Sequence, residues 1–135
     1  MQGWFLRAMV GLYRRTGGRI GGRVGSTPIL LLTTTGRKSG VSHTVPLGYF
    51  DRGDVRFVVA SNSGAPRHPA WYFNLTAHPE VRVEIGRDAY AATVTTATGE
   101  ERAQLWNFLM ETAPLYRRYQ RTAREIPVVM LRRTG

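Results

Sequence analysis

Cysteine is absent from this 135-residue chain, which excludes disulfides and thiolate metal sites together. Its three histidines, His43, His68 and His78, lack the helical spacing of metal ligands, so no metal centre is expected. No apolar run approaches the roughly 18 residues needed to span a bilayer, and the start lacks the unbroken apolar stretch and small-residue cleavage site of a signal peptide. A cytoplasmic protein is the expectation. Also missing are a Gly-x-Gly-x-x-Gly between strand and helix and any alternation of strands with long helices, which argues against a doubly wound nicotinamide site.

Acidic residues are few and unevenly placed. The first fifty residues hold seven basic groups and no acid, the remainder twelve basic and nine acidic groups, for a formal charge of +10. Eighteen of the nineteen basic residues are arginine, Lys38 being the exception. Such a balance invites nucleic acid, an anionic membrane surface or a polyanionic ligand, and composition does not choose among them. At 42% hydrophobic, the length suits one domain with a real core.

What is present is most informative between Leu30 and Gly40. Leu30-Leu31-Leu32-Thr33-Thr34-Thr35 reads as a buried strand, and Gly36-Arg37-Lys38-Ser39-Gly40 as a basic loop at its end. Arg37 offers a planar fork and Lys38 a flexible point charge. The glycines free the backbone to curl, so that consecutive N–H groups converge on an oxyanion. A solvated basic turn is the alternative reading of these five residues taken alone.

Residues 2–16 plot as a basic amphipathic helix with Phe5, Leu6, Met9, Leu12 and Tyr13 on one side, Arg7, Arg14 and Arg15 on the other, and Trp4 at the rim. It could lie on an anionic membrane or pack on the domain. Gly17, Gly18, Gly21, Gly22 and Gly25 then make a flexible connector, so residues 1–25 are read as helix plus connector and 26–135 as the main domain. Six strands are expected, at 28–35, 42–50, 55–61, 81–86, 89–97 and 126–132, with a hairpin turn at Asp51-Arg52-Gly53-Asp54. Pro69 reads as the first position of a helix over 68–75. Thr98-Gly99-Glu100-Glu101 reads as a capping box, and Pro114 as the restart of a basic, tyrosine-bearing helix. The class is α+β or mainly β, an antiparallel barrel or curled sheet with flanking short helices.

These motifs, in order from about Leu12 to Leu131, resemble the deazaflavin-dependent nitroreductase and quinone reductase family. They are the Leu31–Gly40 segment, Pro46-Leu47, Ala60-Ser61-Asn62-Ser63-Gly64, His68-Pro69-Ala70-Trp71-Tyr72-x-Asn74-Leu75, Val81-x-Val83-Glu84, Glu101-Arg102, Trp106, Pro114-x-Tyr116-x-x-Tyr119-Gln120, and Arg124-Glu125-Ile126-Pro127-Val128. The resemblance implies a six-stranded split β-barrel like that of flavin-binding reductases, with coenzyme F420 as cofactor. It implies that Arg37, Lys38, Ser39 and Gly40 hold the cofactor's phosphodiester, and that Pro46, Ala60, Ser61 and Asn62 flank the deazaflavin ring. Trp71, Asn74 and Leu75 would border the cofactor from their helix, although Trp71 and Leu75 can equally be core. The family commonly has an arginine where this chain has His43, which exchanges a bidentate charged contact for one neutral hydrogen bond.

The same resemblance places Tyr116 and Tyr119 over the substrate face of the ring. The implied reaction is direct hydride transfer to a quinone, menaquinone-like, or to a nitroaromatic acceptor, with Tyr116, Tyr119 or Ser61 bonding the acceptor oxygen. A reductase using flavin mononucleotide (FMN) on the same fold is the nearest alternative. A non-enzymatic basic protein that binds membrane or nucleic acid is another, although no nucleic-acid recognition motif is present. Monomer and homodimer both remain open, as does peripheral attachment to the inner face of the plasma membrane.

Overall fold

The structure, a computed structural model, describes residues 2–121 and 124–135. Helix α1 (Gln2–Thr16) precedes strands β1 (Arg23–Val24), β2 (Thr27–Thr35), β3 (Ser42–Gly48), β4 (Phe50–Arg52) and β5 (Val55–Val59). Helix α2 (Ala70–Ala77), the hairpin β6 (Glu80–Ile85) and β7 (Asp88–Thr96), helix α3 (Gly99–Thr112), a 3₁₀ segment (Pro114–Arg121) and β8 (Val128–Arg133) follow. The sheet is antiparallel, in the order β1-β2-β6-β7-β8-β5-β4, with β3 on the other edge of β2.

Sheet curling follows from the burial pattern. Leu30 and Leu32 point into the barrel with Val58, Val83, Ala92 and Val129, while Ile29 and Leu31 point outward beneath Val10 and Tyr13 of α1. Both faces of β2 are therefore covered, which is why its apolar run is continuous rather than alternating. On the opposite wall, Phe57, Val59 and Val128 face outward beneath Leu105 and Leu109 of α3. Helix α2 closes one end, with Trp71 and Leu75 in the barrel core.

Among the described residues, eight strands stand where six were expected. The expected strand over 42–50 bends at Tyr49: Ser42–Gly48 pairs with β2, whereas Phe50–Arg52 crosses to pair with β5. That bend joins the two walls at one end of the barrel. At the other end β3 has no strand partner besides β2 among the described residues, and Pro46 lies within this edge strand, where a missing N–H is tolerated. The second addition, β1, lies in the connector expected to be flexible.

Three helix expectations also change. Pro69 is the N-cap of α2 and not its first residue. Thr98 caps α3 by position only, because its side chain makes no capping bond and the capping box does not close. In α1 the docked residues are Val10 and Tyr13, leaving Trp4, Phe5 and Leu12 exposed. The Tyr13 hydroxyl donates to the carbonyls of Ile29 at 3.0 Å and Glu84 at 3.4 Å, and accepts the Gly86 amide at 2.9 Å. Arg14 grips the Glu84 carboxylate with two nitrogens, at 2.9 and 2.7 Å.

Candidate functional site

A cleft of about 880 Å³ opens beside the Ser42 end of β3. One side is the loop after β2, with Arg37, Lys38 and Ser39; another is β3 from Ser42 to Val45; Asn62, Trp71 and Asn74 complete the wall opposite. Leu6 and Arg7 of α1 reach it as well. Cationic and hydroxyl groups gather at the loop end, whereas Val45 and Trp71 supply apolar surface.

Helix α2 braces the basic loop. Asn74, 9% exposed, donates from its amide nitrogen to the buried Thr34 hydroxyl at 3.2 Å and accepts the Arg37 backbone N–H at 3.1 Å. Gly36 donates to the Val41 carbonyl, Gly40 to the Gly36 carbonyl, and Val41 to the Ser39 hydroxyl. The amides of Gly36, Arg37, Gly40 and Val41 are thus already engaged inside the protein. The expected nest of consecutive free N–H groups shrinks to Lys38 and Ser39, so an anion here would rest mainly on side chains. Gly40 takes a φ of +72°, as the curl requires. At Gly36 the constraint is space, because a Cβ would lie 2.5 Å from the Ser39 hydroxyl and 3.1 Å from the His43 Nε2. His43 therefore sits over the loop. Arg37 stacks on the Phe73 ring, its guanidinium carbon 4.8 Å from the centroid.

Other expected residues are placed differently. Leu75 is 1% exposed in the barrel core and forms no part of the cleft wall, and Ala60 is fully buried where β5 ends. Pro46 is half-buried farther along β3, paired with Leu31. Ser61 opens a tight loop in which Asn62 and Ser63 both adopt left-handed φ values, +49° and +55°, a strained pair for residues other than glycine. Tyr116 and Tyr119 do not line the cleft. In a 3₁₀ turn residues three apart eclipse, so the two rings meet edge-on with centroids 5.4 Å apart, and Tyr116 also meets Phe50 at 5.6 Å. The Tyr116 hydroxyl faces the far end of β3, 3.8 Å from where a Cβ of Gly48 would be. Burial raises its pKa, with Tyr119 adding to the rise and Arg118 opposing it.

A family model described as F420H(2)-dependent quinone reductase matches residues 4–133. The chain belongs to this family. It is 43% identical over 133 residues, 95% of this chain and 89% of the relative, to the F420H(2)-dependent quinone reductase Rv1261c of Mycobacterium tuberculosis (strain ATCC 25618 / H37Rv). Among solved structures, an F420-H2 dependent reductase (FDR-A) is 42% identical with a TM-score of 0.69, covering 77% of this chain and 93% of its own. A chain described as a domain-swapped dimer is 36% identical with a TM-score of 0.72, covering 96% and 98% respectively.

Within this F420H(2)-dependent quinone reductase family chain, sequence reasoning gave no role to Arg124 and placed Leu6 and Arg7 on the amphipathic helix with no part in the cleft. Arg124 donates to the carbonyls of Ala65 at 2.9 Å, Ala60 at 3.2 Å and Ser61 at 2.7 Å, and contacts the His68 Nδ1 at 2.7 Å. The available signal was the Arg-Glu-Ile-Pro stretch, an arginine just before a buried strand; its partners lie some sixty residues earlier and leave no local pattern.

Proposed function

We propose that this protein transfers a hydride from reduced coenzyme F420 to a quinone, with the phosphodiester end of the cofactor at Arg37, Lys38 and Ser39 and the ring lying along β3. The observation that carries this reading is the cleft itself, cationic at the loop and apolar beyond it, in a chain of this family. The donor set fits the cofactor: Arg37 and Lys38 offer charge, Ser39 and Ser42 hydroxyls, and Val45 and Trp71 a surface for a flat ring. His43, above the Gly36 turn, supplies one hydrogen bond at the position where the family resemblance implies an arginine.

When bound, the reduced deazaflavin supplies the hydride and its two electrons. The protein's share is placement and exclusion of water. Pro46 of β3 and the exposed part of the turn at Ser61 and Asn62 would flank the ring, with the fully buried Ala60 backing that turn. Tyr116, kept protonated by its burial, presents an O–H at the far end of β3, where charge developing on an acceptor oxygen needs a donor. Tyr119 orients that ring, and the Ser61 hydroxyl is the second candidate donor.

A quinone dissolved in a membrane is the favoured acceptor over a nitroaromatic, because α1 exposes Trp4 and Phe5 beside a cleft walled by Leu6. Cytoplasmic residence with peripheral contact to the inner leaflet follows from that reading. Among the described residues no helix is long and apolar enough to cross a membrane.

The deciding experiment is a fluorescence titration with coenzyme F420, FMN alongside, followed by menadione added to the reduced complex. F420 binding with oxidation on adding quinone is the expected result; FMN binding in its place would reject the cofactor. For the membrane, Trp4→Ser with Phe5→Ser is the cleaner variant, since deleting residues 1–20 also removes Tyr13. The unaltered chain should co-sediment with anionic liposomes and the double variant should not; equal sedimentation would reject the surface role of α1.

A further inference from the structure

We propose that Arg124, with neutral His68 as its fourth acceptor, is the positioning residue that sets the Ala60–Ala65 turn for the cofactor, and that protonating His68 releases it. The proposal rests on the reading that this turn flanks the ring.

A guanidinium donates and never accepts, so the 2.7 Å contact requires His68 Nδ1 to be the bare nitrogen of a neutral imidazole with its proton on Nε2. The other three bonds all end on backbone carbonyls of one turn, those of Ala60, Ser61 and Ala65. Inside that turn lie the left-handed pair Asn62 and Ser63. Gly64 N–H bonds to Ser61 and Ala65 N–H to Asn62 within it, Ala60 N–H reaches the Pro127 carbonyl, and the Asn62 side-chain amide donates to the Arg67 carbonyl. Two strained residues persist only where their surroundings over-determine them, and Arg124 alone binds three of the turn's carbonyls from outside it. Asn62 lines the cleft, so the conformation held by Arg124 is the wall that a ligand meets.

His68 is placed to feel the proton. Its ring lies edge-on to Tyr72 at 5.0 Å and against Phe73 at 5.7 Å. The charged groups around it are Arg124 in contact, Arg102 and Glu125 across a small cavity on one side, and Arg37 and Arg67 across another; Tyr72 is the remaining titratable neighbour. Glu125 is 3.4 Å from Arg102, so the field at the imidazole is cationic on balance. Burial first, then the Arg124 charge, hold the ring neutral below the usual histidine range. Once protonated, Nδ1 ceases to accept and two cations face each other at bonding distance. The released state takes up the proton more readily than the held state. The latch is therefore complete above about pH 6.5 and weakens as pH falls below it.

His68→Asn keeps an acceptor near the Nδ1 position and cannot titrate, whereas Arg124→Gln removes the clamp. F420 binding is measured from pH 8 to pH 5 in the unaltered protein and both variants. The unaltered protein should lose about tenfold more affinity across this range than His68→Asn, any titration of the cofactor itself being common to both. Arg124→Gln should bind about tenfold more weakly at pH 8 and lack the His68-dependent loss. Amide-exchange protection of Gly64 and Ala65 in the cofactor-free protein is the independent readout. It should fall in Arg124→Gln at pH 8 and in the unaltered protein at pH 5, and stay high in His68→Asn. Protection unchanged in Arg124→Gln, or a full pH dependence retained by His68→Asn, overturns the proposal. Failure of the unaltered protein to bind F420 at all would count against the cofactor reading, and the exchange data would still decide the latch.

Discussion

The Asn74 side-chain oxygen accepts the Arg37 backbone N–H at 3.1 Å, which ties the basic loop to the helix that closes the barrel. Its other atom holds the Thr34 hydroxyl, so one amide spans strand, loop and helix. Asn74→Leu removes both bonds and strands a buried hydroxyl, and should cost about 1–3 kcal/mol in chemical denaturation. Asn74→Asp keeps an acceptor for Arg37, and the Thr34 hydroxyl can turn to donate. Relative to Asn74→Leu it should recover much of the stability while weakening F420 binding, because a carboxylate then lies at the anion end of the cleft. Equal stability losses in the two variants would reduce Asn74 to filling space.

His43 offers a gain-of-affinity test. Its Nε2 lies over the Gly36 turn, within reach of whatever the loop holds. His43→Arg introduces a bidentate, permanently charged donor and should tighten F420 binding several-fold, with a steeper dependence on salt. Unchanged affinity between low and moderate salt would place the phosphodiester elsewhere.

The strand-rich class and the basic loop were legible because they are written locally: a doubly covered β2 needs a continuous apolar run, and a tight loop needs Gly36 and Gly40. The bend at Tyr49 was not, since residues 42–50 are uniformly compatible with a strand and only the closing of the barrel decides where the chain changes partners. On α1, spacing correctly marked Tyr13 but left out Val10, which meets Ile29 and Leu31 beside it, and grouped with Tyr13 the exposed Phe5 and Leu12. Arg124 stayed hidden for a related reason. Its charge looked like one more surface arginine, and the carbonyls that satisfy it come from a turn remote in sequence.

Tyr116 is the residue on which the chemistry can be tested apart from binding. Its hydroxyl faces the end of β3 away from the basic loop, and burial keeps it protonated beyond the usual tyrosine value near 10. Tyr116→Phe should lower turnover with menadione by about tenfold while leaving F420 affinity unchanged. The raised phenol also implies that loss of its proton produces no alkaline limb in the rate below about pH 10. Unaltered turnover in the variant would remove Tyr116 from the reaction and leave it a packing residue against Phe50.

Tyr13 links the same chemistry to stability. Its hydroxyl, inside the seam between α1 and the barrel, serves the Ile29 and Glu84 carbonyls and the Gly86 amide, and Tyr13→Phe should destabilise the protein by about 1–3 kcal/mol at pH 8. Burial raises the phenol pKa above its usual value, while the bond from Gly86 acts in the opposite direction. The unfolded chain therefore releases this proton first. Above about pH 10 the native state binds more protons than the unfolded state, so the stabilisation, complete below that pH, is lost as pH rises through the folded value. Tyr13→Phe has no such proton to lose, so the gap between the two proteins should narrow on moving from pH 8 to pH 10.5 in urea melts. A gap that stays constant over that range would mean that Tyr13 remains neutral throughout, or that α1 has already left the barrel before the phenol ionises; near-ultraviolet tyrosinate absorbance on the same samples distinguishes these, and either result would refute the titration assigned to this seam.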